Sequence, residues 1–136
     1  MAINIVVKQF FVCEPETVIT ALSEHQRLDR FFNASFTVLA STDQYIRRQV
    51  SMLGYCFIER VEQSEPFTIN YHIEDKGPVN HHRASIIATP ADSGCQLVYS
   101  INCQAKWWQP SWLVEYIIRH DLIQALNKLK DYCNAY

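Results

Sequence analysis

Apolar and polar residues follow three distinct periods along this chain. From Ile3 to Val12 they alternate loosely among β-branched and aromatic residues, which predicts a first strand. Pro15 then sits where a first helical turn tolerates it, with Glu14 and Glu16 favourable near a helix N-terminus, so a short helix is expected over Pro15–Leu22. Ser23 followed by Gln26 reads as a capping box that opens a second short helix ending near Phe31. From Ser35 to Ala105 the period is two, and strands are expected at about 35–41, 44–53, 55–63, 66–74, 79–89 and 95–105. Gly54, Ser64-Glu65, Lys76-Gly77-Pro78 and Asp92-Ser93-Gly94 punctuate them, and links this short force antiparallel neighbours. Beyond Pro110 the period becomes helical. Val114, Ile118, Leu122, Ala125, Leu126, Leu129 and Cys133 fall on one stripe of a helix running to about Tyr132.

The turns fix which residues share a sheet face, because directly opposed residues on antiparallel neighbours point the same way. A two-residue turn at Leu53-Gly54 sets Met52 against Tyr55, Val50 against Phe57 and Arg48 against Glu59. A turn around Ser64 sets Val61 against Phe67, Glu59 against Ile69 and Phe57 against Tyr71. Closure from Asp75 to Pro78 pairs Tyr71 with His82, and closure from Ala91 to Gly94 pairs Ile86 with Tyr99 and His82 with Cys103. The connected face is apolar except for two rows, Arg48–Glu59 and Phe57–Tyr71–His82–Cys103. Arg47, Gln49, Arg60, Glu62, Thr68, Asn70, His72, Arg83 and Gln104 fall on the other face, as a solvent side should. A one-sided sheet of seven strands must be covered, and the long helix is the obvious cover.

Composition sharpens this picture by exclusion. A chain of 136 residues is the size of one domain, 1–136, and can bury a real core without staples. Twelve basic against fourteen acidic residues leave no basic excess for nucleic acid, and no apolar run approaches the ~18 residues of a membrane span. No stable membrane insertion is therefore expected. The five cysteines are widely spaced without a CxxC pair, and read as reduced thiols of a cytoplasmic protein. The first twelve residues carry Lys8 inside the apolar stretch and read as a strand, not a signal peptide. His25, His72 and His120 are scattered and His81 points away from His82, so neither a metal nor another cofactor is expected.

Three places could carry chemistry. Arg48 and Glu59 are either a charged anchor for a ligand or a cross-strand ion pair that neutralises itself and fixes register. His82 and Tyr71 could act as general base and oxyanion donor, with Cys103 beside them, or form a satisfied buried cluster. A Cys-His nucleophile lacks an orienting third group. Trp107, Trp108 and Trp112, with Leu113, Tyr116 and Ile117, make the helix start apolar nearly all round. That end is covered by packing on the short helices, borders a cavity mouth, contacts a membrane transiently, or meets a second subunit in a homodimer.

The order of elements resembles the helix-grip superfamily of START domains, birch-pollen-allergen-like proteins and polyketide cyclases/dehydrases. The residues that carry it are Glu14-Pro15 through Val18, Ile58-Glu59-Arg60-Val61, Phe67 to Ile73, Ala88-Thr89-Pro90 with Gly94 before Leu97, and the terminal helix. The usual Gly-Thr before the last strand is here Gly94-Cys95, a departure confined to the turn. The resemblance implies an α+β fold, β-α-α-β6-α, with a curved antiparallel sheet gripping the helix over a hydrophobic ligand. It brings no universal catalytic set. Ligand contacts are then expected from Arg48, Glu59, Phe57, Tyr71, His82, Tyr99, Cys103, Trp112 and Ile118. The ligand would be a lipid or an aromatic, polyketide-like metabolite. The alternatives are a cyclase or dehydrase using His82 as acid/base with Tyr71, and an interaction module docking through the tryptophan-rich helix start.

Overall fold

The computed structural model describes residues 2–63, 65–74 and 76–134. Its strands are β1 (Ala2–Phe11), β2 (Ser35–Ser41), β3 (Ile46–Met52), β4 (Tyr55–Glu62), β5 (Thr68–Ile73), β6 (Asn80–Ala91) and β7 (Gly94–Gln104). Helix α1 (Pro15–Leu22) and a 3₁₀ helix (His25–Arg30) lie between β1 and β2, and α2 (Ser111–Asn134) follows β7. The strands form one antiparallel sheet in the order β1-β7-β6-β5-β4-β3-β2. Burial alternates along β4, β6 and β7, so one face of the sheet meets the core and the other meets solvent. The apolar stripe of α2 lies on the inner face together with α1. This is the α+β helix-grip architecture.

Two hairpins form as their turn residues dictate. Leu53 and Gly54 take φ of 53° and 80°, the paired positive values of a type I′ turn, and Arg48 pairs Glu59 as expected. Ala91 pairs Gly94, and Ile86 pairs Tyr99. Gly94 has a second constraint, since a Cβ there would come within 1.9 Å of the Phe11 carbonyl oxygen of β1.

The other two hairpins slip. Val61 pairs Tyr71, not Phe67, and Glu59 pairs Ile73, not Ile69. Phe67 adopts φ of 64° and the Thr68 N–H donates to the Glu65 carbonyl, so a wide loop delays β5. Tyr71 in turn pairs Ala84, not His82, and Ile69 pairs Ile86. Ser64 and Asp75, on which the expected tight turns were placed, lie outside the described residues. Both slips are even-numbered, four residues and two, so inward side chains stay inward. A third departure is a bulge in β6, where His81 (φ 51°) and His82 together face the single residue Cys103.

Helix boundaries hold better than their caps. Ser23 closes α1 by donating its hydroxyl to the Ile19 carbonyl at 2.7 Å, so it does not open the second helix. Gln26 is likewise no capping partner: its side chain accepts from the Val38 N–H of β2. The segment that follows Ser23 forms a 3₁₀ helix with no side-chain cap. All five cysteines are free thiols.

Candidate functional site: a cavity under the long helix

The inner face of β3 to β7 does not fill the space beneath the first half of α2. A cavity of about 250 Å³ remains there. Its walls are mainly apolar, with Phe57, Ile69, Ile86, Val114 and Ile118 among them. Its polar groups include Arg48, Glu59, Tyr71, His82 and Tyr99 from five strands and Asp121 from the helix. The mouth is braced by Gln109, whose side chain donates to the Pro78 carbonyl at 3.0 Å and accepts from the Lys106 N–H at 2.7 Å. That pair of bonds ties the entry of α2 to the loop before β6.

Arg48 and Glu59 are almost fully withdrawn from water, at 5% and 7% exposure. Arg48 Nε donates to Glu59 Oε1 at 2.9 Å, and Nη2 lies 2.8 Å from the same oxygen. Nη1 makes a third contact, 2.9 Å from His25 Nδ1. Arginine has no acceptor, so His25 must accept through Nδ1 and carry its proton on Nε2. Burial, and then the Arg48 charge, push the His25 pKa down to about 4, which keeps that acceptor free at neutral pH. The guanidinium also lies over the Tyr71 and Phe36 rings, 5.2 and 5.3 Å from their centroids. Burial raises the Glu59 carboxyl, and its Arg48 partner opposes that rise.

Tyr71 and Tyr99 meet hydroxyl to hydroxyl, their rings edge to face at 6.4 Å. Burial drives both phenols well above their ordinary value. His82 packs its ring 5.5 Å from that of Tyr71, and its Nδ1 is buried without a protein partner among the described residues. Burial, with the neighbouring His72, pushes the His82 pKa down to about 4. Neutral imidazole is therefore the form present at pH 7.

The cavity brings together Arg48, Glu59, Phe57, Tyr71, His82, Tyr99 and Ile118. Cys103 and Trp112 are not among its walls. Cys103 is buried in the core with its thiol pKa raised by burial. Trp112 is 73% exposed on the outer side of α2. Gln109, His25 and Asp121 were not anticipated as residues of the site. His25 comes from the 3₁₀ helix, whose approach to β3 no local pattern announces. Asp121 stands three residues after Ile118 and seven after Val114, so its place beside the apolar stripe was readable from helical spacing. Among the described residues no group of three or more His, Cys, Asp or Glu could hold a metal.

No family model matches the sequence, and no curated relative matches it. Solved structures do. A START superfamily protein from Mycobacterium smegmatis superposes with a TM-score of 0.79 at 14% identity, covering 98% of this chain and 97% of its own. Ara h 8.0201 gives 0.78 at 10% identity with full coverage of both chains. The Zhui aromatase/cyclase from Streptomyces sp. R1128 gives 0.83 at 15% identity, over 98% of this chain and 94% of its own. The chain has the START-like helix-grip fold. At these identities the likeness is one of architecture, and the START-like fold places the cavity between sheet and helix without assigning its occupant. No helix among the described residues is long and apolar enough to cross a membrane.

Proposed function

We propose that this protein binds a compact hydrophobic small molecule between its sheet and α2, and acts as a carrier or sensor of that molecule. The observation that carries the reading is the cavity itself: about 250 Å³, mostly apolar, with the Arg48 cation already paired. An apolar cavity of roughly 150 Å³ already accepts a benzene, whereas drug-sized ligands need ~300–1,000 Å³. The volume here fits one or two rings better than a long acyl chain or an extended polyketide. Burial of the ligand's apolar surface would supply the affinity, at roughly 25 cal/mol per Å² before the costs of association. Filling the space tests the reading. Ile118→Trp should retain the fold and lose the binding of small aromatic probes; a variant that binds them as the parent does would count against it.

A cyclase reading would use His82 as base and Tyr71 as oxyanion donor. With the His82 pKa near 4 it is a weak base at pH 7, and the Tyr71 hydroxyl is engaged by Tyr99. Binding without turnover is favoured on both counts. The docking alternative rests on a different observation, the exposure of Trp107 at 96% together with Trp112 and Tyr116. Such a patch, continuous with the α2 residues at the cavity mouth, fits a partner surface or a second copy of the chain. Size-exclusion of Trp112→Ala against the parent tests it, with a change in oligomeric state or partner capture expected.

A further inference from the structure

We infer that the cavity selects uncharged ligands bearing a hydroxyl and rejects carboxylates, an inference that rests on the binding reading above. Arg48, the one cation in the wall among the described residues, has Nε and Nη2 directed to Glu59 and Nη1 to His25. Its guanidinium also lies over the Tyr71 and Phe36 rings. A ligand carboxylate would therefore meet a cation whose charge Glu59 already offsets, and desolvating an uncompensated anion is costly. Asp121, half-buried in the wall near the N-terminal half of α2, has no hydrogen bond or ion pair among the described residues and adds an opposing negative charge. Lys106 is outside the wall, with its ammonium 5.4 Å from the centroid of the Tyr55 ring. The two histidines nearest the charged pair do not change this balance, because burial keeps both neutral at pH 7.

What the wall does offer is a hydrogen bond. His82 lines the cavity with its Nδ1 buried and without a protein partner among the described residues, and a small turn of the neutral ring would present either a lone pair or an N–H to a ligand. A hydroxyl matches both forms; a carboxylate matches only the second. Tyr71 and Tyr99 share one hydrogen bond, in which one hydroxyl donates and the other keeps its proton. His82 is thus the polar specificity element, and Arg48–Glu59 is a charge-neutral pair that shapes the wall.

Matched bicyclic probes separate the possibilities by titration calorimetry at pH 7: naphthalene, 2-naphthol and 2-naphthoate. We expect 2-naphthol to bind best, with 2-naphthoate weaker by at least about tenfold. Glu59→Gln, which frees the Arg48 charge, should narrow that gap, and so should Asp121→Asn at a position where folding is not at risk. His82→Phe should remove the preference for 2-naphthol over naphthalene. Equal or tighter binding of 2-naphthoate by the parent protein would overturn the inference while leaving the binding reading intact. Failure of all three probes to bind would instead remove the binding reading on which it rests.

Discussion

From Leu122, which also borders the cavity, to Cys133 the apolar stripe of α2 is buried, and the helix packs on β1 and α1. Val114 and Ile118, earlier on the same stripe, are only partly buried and border the cavity. The stripe is equally apolar in both halves, so the difference comes from what faces it. At the C-terminal end Phe31 meets Tyr132 edge-on at 5.5 Å, and the Arg30 guanidinium sits 4.8 Å from the centroids of both rings. At the N-terminal end the sheet presents Arg48–Glu59, Tyr71–Tyr99 and His82, groups held to one another within the sheet face instead of interdigitating with the helix. One helix therefore has a solid half that anchors it and a half that roofs a space.

The contrast can be broken by mutation, and the largest effect should come from the polar pair. Glu59→Ala leaves Arg48 buried and unpaired, a change expected to cost about 3–5 kcal/mol in urea unfolding. A loss below about 1 kcal/mol would mean that water reaches the guanidinium. Leu126→Ala, in the solid half, should cost about 2–5 kcal/mol. Ile118→Ala, on the cavity side, should cost only about 1 kcal/mol, because part of its surface already lacks contacts. Equal costs for the two would erase the distinction between the halves.

Acid should act on the cavity side. His82 is held near 4 in the folded chain against an ordinary 6.5, so the unfolded chain takes up a proton that the folded one refuses. Its stabilising contribution is complete above pH 6.5 and is lost as pH falls towards 4, by up to about 3 kcal/mol. His25 shifts in the same direction and adds to the slope. Melting temperatures from pH 7.5 to 4.5 should fall accordingly, and His82→Gln should flatten the profile; an unchanged slope in that variant would assign the acid sensitivity elsewhere. The smallest effect belongs to Trp112→Ala, within about 0.5 kcal/mol, since the side chain lies outside both halves of the core.

Much of this contrast was legible in the residues, and the reasons differ by element. The α2 stripe and the Leu53-Gly54 hairpin are local patterns, fixed by periodicity and by backbone φ, and both appear where expected. The inner face survived two wrong hairpin registers because even slips preserve orientation. Neighbour relations did not survive them: Tyr71 finds Tyr99 as its hydroxyl partner, and His82 reaches it across a diagonal instead of directly. His25 was out of reach because its role depends on how a 3₁₀ helix is carried over β3, a long-range matter. The absence of Cys103 from the cavity walls, despite its place near His82 on the inner face, is also a property of packing that no spacing encodes.

Native mass spectrometry before and after incubation with 2-naphthol shows whether the cavity under α2 holds a ligand. The protein should carry one noncovalent small molecule, either retained from purification or taken up from the probe, and lose it on denaturation or in Ile118→Trp. A bare chain mass under both conditions would contradict the account.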